Sequence, residues 1–169
     1  MAPTRESRAV NGGAIAAPAG SGFADKLHVI HETLSRVLRE TSPDCVSIEN
    51  LFHARNVRSA LQLGHARGVA MLAAVQAGVP IVEYTPAEIK LAVVGYGRAD
   101  KIQVQQMVKL LLGLTTLPKP FDASDALAAA LCHSHSGTSA LARRATRSLP
   151  RHLRNWRDYR PAVAGRQAP

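Results

Sequence analysis

Two aspartates stand three residues apart at the start of an alanine-rich stretch, FDASDALAAALCHSH. If this stretch is helical, Asp122 and Asp125 share a face, because residues three apart are neighbours on a helix surface. Paired carboxylates can hold a hard cation such as Mg²⁺, which prefers oxygen ligands and keeps several of its waters. A structural alternative is Asp122 as the N-cap and Asp125 in the first turn, where both would compensate the helix dipole. The residues alone leave both interpretations open.

A third acid, Glu49, ends the strand-like run DCVSIE and is followed at once by NLFHARN. On a strand, Cys45, Ser47 and Glu49 share one face. An acid on a central strand needs a partner or a metal, whereas an acid at an exposed strand end needs neither. If Glu49 converges with the aspartate pair, the three carboxylates form a metal cage suited to phosphodiester hydrolysis.

Basic, amide and aromatic side chains lie close to these acids in the sequence. Each charge alone is more often a solvated surface group, but together they would give the carboxylates cationic walls that hold phosphates. Phe52, on a loop, is suited to stacking on an unpaired base. A hydrophobic contact with the core is an equally good account of Phe52. The candidate DNA-contacting residues are Phe52, Arg55, Asn56, Arg58, Lys90, Arg98 and Lys101.

The chain has 169 residues, a hydrophobic content of 46% and a net charge of +9. Residues 136–169 hold eight Arg and one Asp, whereas the first 135 residues hold 13 Lys and Arg against 11 Asp and Glu. The basic end favours a polyanionic partner such as nucleic acid, or else it is a solubilising extension. No apolar run reaches the roughly 18 residues that span a bilayer, and we expect no signal peptide. The two cysteines indicate free thiols in a reducing cytoplasm.

Apolar periodicity and chain breakers predict the elements that would position these residues. Strands alternating with helices predict parallel pairing and a layered α/β fold. The helix that follows Asn56, its predicted N-cap, is apolar nearly all round, so we expect it to be buried, either in the core or at a subunit interface. The predicted helices are 23–40, 56–76, 86–94, 101–112 and 122–135, and the predicted strands are 44–49, 81–85 and a short one near 13–17.

A long stretch of the chain is similar to a known family. The sequence IENLFHARNVRSALQLGHARGVAMLAAVQAGVPIVEYTPAEIKLAVVGYGRADKIQVQQMVKLLLGL, followed by DASDALAAALCHSH, closely resembles the RuvC family of Holliday junction resolvases. The resemblance covers roughly residues 10–136. It implies a ribonuclease-H-like fold, with a mixed sheet flanked by helices, and a homodimer. It also implies symmetrical, Mg²⁺-dependent cleavage of four-way DNA junctions in recombination and repair, with branch-migration proteins of the same pathway as partners.

The resemblance also assigns roles to particular residues. It implies Glu49 and Asp122 as metal-binding catalytic acids, with Asp125 as a further acid of the same site. Lys90 and Lys101 are implied as phosphate-contacting residues. Phe52 is implied as a base-stacking residue.

One departure from the family concerns the first residues. The family opens with a strand carrying an Asp in a G-I-D-P-G-like motif, and that Asp is the first metal ligand. Here no Asp precedes Asp25, which falls in the first turn of a predicted helix, and NGGAI is similar to the family's third strand. We therefore expect an N-terminally truncated fold: an irregular start over 1–22, a resolvase domain over 23–136 and a disordered basic tail over 137–169. The resulting hypothesis is a junction-resolving endonuclease, and the alternative is a non-catalytic DNA-binding remnant without the first catalytic Asp.

Overall fold

The structure, a computed structural model, describes residues 7–50 and 56–136 of the chain. In this part of the chain the elements are α1 (Phe23–Thr41), β1 (Val46–Glu49), α2 (Val57–Gln76), β2 (Ile81–Tyr84), α3 (Pro86–Val94), α4 (Lys101–Leu111) and α5 (Phe121–Ser136). Each agrees with a predicted element to within about two residues. Every described helix is too short or too polar to cross a bilayer.

Side-chain caps fix where three of the helices begin. The Asn56 side chain accepts a hydrogen bond from the backbone N–H three residues later, at 2.8 Å, which confirms it as the N-cap of α2. Thr85 and Glu88 form a capping box at the start of α3, and Asp100 and Gln103 form another at the start of α4. These caps also fix the positions of the basic side chains that α3 and α4 carry.

The two described strands pair in parallel. Val46 lies opposite Ile81 and Glu49 lies opposite Tyr84, with α2 as the crossover between the strands. Among the described residues, β1 pairs with β2 alone, so its other edge has no strand beside it. Parallel pairing within an α/β fold is therefore confirmed.

Helices cover both faces of this strand pair. The larger apolar cluster lies under α3, α4 and α5, and the smaller lies between the sheet and the pair formed by α1 and α2. The buried members of the larger cluster are Tyr84, Ile89, Val93, Ala99, Val104, Val108, Ala128, Ala129, Leu131 and Cys132. Helix α5, which carries the two aspartates, is thus held against the main core.

The strand predicted near residues 13–17 is not formed. Residues 7–18 are irregular, and Ile15 is 39% exposed. The segment lies along α5, where the hydroxyls of Ser7 and Ser134 are 3.2 Å apart. Its small side chains bury little apolar surface, and no described strand lies beside it to pair with its backbone.

Helix α2 is also less buried than its sequence predicts. Ala73 and Ala74 are buried, but Leu61 is 57% exposed, Leu72 49% and Val75 64%. A helix that packs on one neighbour buries one stripe of its surface, so the other apolar side chains of α2 face outward in a single chain.

Candidate active site

The three predicted acids face one cavity. Glu49 comes from the end of β1, and Asp122 and Asp125 come from the start of α5. They line a cavity of about 320 Å³ whose wall also contains Ser47 and Ile48. Because Ser47 and Ile48 point to opposite faces of the strand, the cavity must run around the unpaired edge of β1.

The aspartate pair has the shared face that its spacing predicts. Helix α5 begins at Phe121, so Asp122 is its second residue and not its N-cap. Asp122 is exposed, whereas the Asp125 side chain is only 29% exposed. Asp122 is therefore not the N-cap, but it lies in the first turn, where its charge compensates the helix dipole. Both aspartates also line the cavity.

The electrostatic environment of Glu49 reflects this convergence. Burial is the largest cause that raises the pKa of Glu49 above its ordinary value, and the nearby Asp125 carboxylate adds to it. The ammonium groups of Lys101 and Lys90 act in the opposite direction. The fold thus brings two acids and two cations together from β1, α3, α4 and α5.

One of these cations contacts an acid directly. Lys101 is the first residue of α4, and its Nζ lies 3.5 Å from Oδ2 of Asp125. The Lys101 side chain is 65% exposed. Its charge therefore lies at the mouth of the cavity, reachable by both the acids and solvent.

The other predicted DNA-contacting residues are less closely gathered. Lys90 is half-buried on α3, and Arg98 is exposed in the loop before α4. Asn56 is exposed, but its side chain is engaged as a helix cap. Phe52 and Arg55 lie outside the described residues.

Helix α2 contributes a cation that the sequence reasoning missed. Arg58 was a candidate and is exposed at the start of α2, but Arg67 is the residue that lines the cavity. The Arg67 Nη2 lies 2.6 Å from Oε2 of Glu83, while its buried Nε has no hydrogen-bond partner in the structure. The sequence did contain a signal for Arg67, because it is a lone charge in the middle of a nearly apolar helix, and charged residues are rarely buried without a partner.

The donor chemistry of the cavity fits a hard divalent cation, since its acids offer carboxylate oxygens alone. Within residues 7–50 and 56–136, however, no three His, Cys, Asp or Glu side chains are close enough together to hold a metal ion. A cation held by Glu49, Asp122 and Asp125 would therefore need these carboxylates to move closer together.

Comparison with known proteins identifies the family. The family model for the crossover junction endodeoxyribonuclease RuvC matches residues 2–133. This chain belongs to the RuvC family. RuvC of Alkaliphilus oremlandii is 54% identical over 125 residues, which cover 74% of this chain and 76% of that protein. RuvC of Trichlorobacter lovleyi is 47% identical over 152 residues, which cover 90% of this chain and 85% of that protein.

Solved structures of the RuvC family share the fold. The structure of Thermus thermophilus RuvC has a TM-score of 0.70 and 34% identity, and the match covers 77% of this chain and 78% of that one. The T. thermophilus RuvC in complex with Holliday junction substrate has a TM-score of 0.69 and 31% identity over the same shares. The predicted ribonuclease-H-like α/β fold is thereby confirmed.

Proposed function

We propose that this protein is a structure-specific endodeoxyribonuclease that resolves four-way DNA junctions by metal-dependent phosphodiester hydrolysis. The observation that carries the proposal is the convergence of Glu49, Asp122 and Asp125 on one cavity in a chain of the RuvC family. A non-catalytic DNA-binding protein would need cationic surfaces but would have no use for three acids directed at one cavity. The enzyme is therefore favoured over that alternative.

Mg²⁺ is the proposed cofactor, held by Glu49, Asp122 and Asp125. When bound, the cation activates water and stabilises the leaving oxygen. Burial and the Asp125 charge make the ionised form of Glu49 unfavourable in the metal-free protein. A cation held by Glu49 and Asp125 would reduce that penalty, so the raised pKa of Glu49 is consistent with a cation site.

The cations beside the acids are proposed to hold the DNA backbone. Lys90 and Lys101 lie close enough to act on the charge of Glu49. Together with Arg98, from the loop between α3 and α4, they are proposed to form a basic margin beside the cavity. Such contacts position the duplex arms without reading sequence. The segment after β1 supplies the remaining proposed contacts, with Phe52 stacking on a base, beside Arg55, Asn56 and Arg58.

A second copy of the chain is the proposed occupant of the exposed face of α2. A groove of about 500 Å³ lies between α1 and α2, lined by Leu27, Leu61 and Leu72. Gly64 and Gly68 also line it, and glycines allow another backbone to approach closely. A two-fold symmetric pair would bury this apolar surface and present two cavities to the two strands of a junction. Cytoplasmic location and cooperation with branch-migration proteins belong to the same proposal.

The test of the proposed activity is Asp122→Asn. We expect this change to reduce junction cleavage in Mg²⁺ by at least about 100-fold, because even the loss of a group supporting a metal ligand costs up to that much. Junction binding should remain, because it depends on cations and shape. Asp25→Asn, an equally conservative change at an exposed position on α1, is the control and should cut at the wild-type rate.

Cleavage and gel-shift assays on a four-way junction and a linear duplex, at several salt concentrations, separate the two functions. The proposed enzyme prefers the junction and cuts it. A wild-type chain that binds junctions selectively but cuts none in Mg²⁺ or Mn²⁺ would instead identify the DNA-binding alternative. Near wild-type cleavage by the Asp122→Asn variant would exclude Asp122 as a metal ligand.

A further inference from the structure

Helix α5 carries both aspartates and meets the core mainly through small side chains, with Leu131 as the large buried exception. Its buried face includes Ala123, Ala128, Ala129 and Cys132, each at most 7% exposed. Burial of apolar surface is non-directional, so a face made mostly of small side chains does little to fix where the helix sits along its own axis. Directional polar contacts therefore help to set the axial position of α5.

Tyr84 supplies such a contact at the far end of the helix. It is 2% exposed, and its hydroxyl is hydrogen-bonded to Nδ1 of His133 at 2.8 Å. The same hydroxyl also interacts with the Ser136 side chain, so it meets the last turns of α5 at two points. A buried hydrogen bond in surroundings of low polarity is stronger and more costly to misalign than an exposed one.

Tyr84 is also tied to the strand that carries Glu49. The two residues are register partners at the ends of β2 and β1. The backbone carbonyl of Tyr84 accepts a hydrogen bond of 2.7 Å from the N–H of Asn50, the residue that follows Glu49. Tyr84 thus contacts the end of the Glu49 strand through its backbone and the aspartate-bearing helix through its side chain.

We propose that Tyr84 is a positioning residue for the metal-binding carboxylates, and that its hydrogen bond to His133 sets the distance between Asp125 and Glu49. The inference rests on the proposed function of this cavity. His133 lies eight residues beyond Asp125, or about 12 Å along the helix axis. A helix is stiff over that length, so a shift at His133 is transmitted to Asp125. Ligand geometry must be held to within about 0.5 Å, so a small shift weakens the site.

A second polar contact holds the other end of α5. Gln105, 6% exposed on α4, donates from Nε2 to the backbone carbonyl of Pro118 at 2.8 Å. This bond fixes the segment that leads into α5, but it does not reach the strands. Helix α5 also packs directly against β1, and Tyr84 adds a hydrogen-bonded link from the last turns of α5 to the residue that follows Glu49.

The experiment is the variant Tyr84→Phe, which removes the hydroxyl and keeps the ring. We measure Mn²⁺ binding by calorimetry and the Mg²⁺ dependence of junction cleavage. Mn²⁺ affinity should fall roughly threefold to tenfold, as expected for a residue that acts through others. Cleavage should need more Mg²⁺ but approach the wild-type rate at saturation, with junction affinity unchanged. Tyr96→Phe is the matched control, because the Tyr96 hydroxyl donates to Gln103 Oε1, also at 2.8 Å, without contacting α5.

A second pair of variants tests the other partner in case Tyr84→Phe does not fold. His133→Asn keeps a polar atom close to the position of Nδ1, whereas His133→Leu does not. We expect the leucine variant to reproduce the weaker metal binding and the asparagine variant to recover most of it. Equal losses in the two would refute positioning through this hydrogen bond.

The outcomes separate this inference from the proposed function. A folded Tyr84→Phe variant that melts earlier but binds Mn²⁺ like the wild type would overturn the inference, because Tyr84 would then be structural alone. A wild-type chain that binds Mn²⁺ but cuts no junction would refute the nuclease, and weaker Mn²⁺ binding by the variant would still uphold the positioning role. A wild-type chain without Mn²⁺ affinity would overturn both.

Discussion

Glu49 is an acid kept in surroundings that favour its neutral form. It is half-buried, it lies near the Asp125 carboxylate, and both conditions raise the pKa of Glu49. The two lysines that oppose this effect do not cancel it. The metal-free protein is therefore less stable at neutral pH than it would be with an uncharged residue at this position.

We predict that Glu49→Gln raises the melting temperature of the metal-free protein at neutral pH. The pKa of folded Glu49 lies above its ordinary value of 4.5. Its contribution to stability is thus fully present below that value and is lost as pH rises through the folded-state pKa. The advantage of the glutamine variant should accordingly vanish in acid. Calorimetry from acidic to neutral pH measures it.

A matched change on the adjacent strand provides the control. Glu83→Gln weakens the contact with Arg67, so it should lower the melting temperature or leave it unchanged. Added Mg²⁺ should stabilise the wild type more than the Glu49→Gln variant, since the variant lacks one of the three proposed carboxylate ligands. A glutamine variant no more stable than the wild type at neutral pH would contradict the cost assigned to the Glu49 charge.

Residue types and spacing predicted part of the site. The shared helix face of Asp122 and Asp125 was predicted from their spacing. The position of Glu49 at the end of a strand was predicted from the strand-like run that precedes it. The cap at Asn56 was also predicted correctly. Arg67 was missed, because the near-uniform apolarity of α2 hides which of its faces meets the edge of β1. The roles of Phe52 and Arg55 stay predictions, since both lie outside the described residues.

At the scale of elements, local signals predicted more than long-range ones. Chain breakers and apolar periodicity placed α3 and α4 to within one residue. The prediction of a strand near 13–17 was wrong. A strand needs a neighbouring strand to pair with its backbone, and a local sequence pattern does not show whether one is present. Helix α2 was expected to be buried because its composition is apolar, yet composition cannot distinguish burial in the chain from burial between chains.

We predict that Leu61→Glu converts a dimer into monomers. Leu61 is 57% exposed and lines the groove between α1 and α2. In a two-fold symmetric interface each change is present twice, so a buried charge would be introduced on both sides. Leu91→Glu is the control, because Leu91 is 58% exposed on α3, away from the groove.

Sedimentation velocity at several protein concentrations measures the result. The wild type and the Leu91→Glu variant should sediment as dimers, and the Leu61→Glu variant as a folded monomer. A dimeric Leu61→Glu variant would place the interface elsewhere. A monomeric wild type at every concentration would remove the proposed homodimer.

At the scale of the whole molecule, charge is concentrated at one end of the sequence. Residues 137–169 contain eight Arg and one Asp, and the remaining residues are close to balanced. Charge neutralisation of DNA gives affinity that falls with salt, by a slope of about 0.9 in log units for each phosphate contacted. The two parts of the chain should therefore differ in what they contribute to binding.

We predict that removal of residues 137–169 lowers the salt dependence of DNA affinity while the preference for junctions over duplex persists. The tail is expected to add general charge attraction, which does not distinguish a junction from a duplex. The preference for junctions is assigned to the cavity and its basic margin, which lie within the described residues. A variant of full length with its eight tail arginines changed to glutamine controls for chain length. Gel shifts across a salt series measure both quantities, and an unchanged slope in both variants would assign the electrostatic contribution to residues 1–136.

The contact between Lys101 and Asp125 links two binding events. In the metal-free protein the Lys101 ammonium takes the place of a cation beside the carboxylate, 3.5 Å away. A metal ion that binds Asp125 competes with Lys101, and the released side chain is then free for a phosphate. DNA that withdraws Lys101 likewise leaves Asp125 available to metal. Each ligand thus raises the affinity for the other by the same factor, as linkage requires. In the proposed nuclease, this reciprocity makes metal occupancy of the site higher with substrate bound than without it.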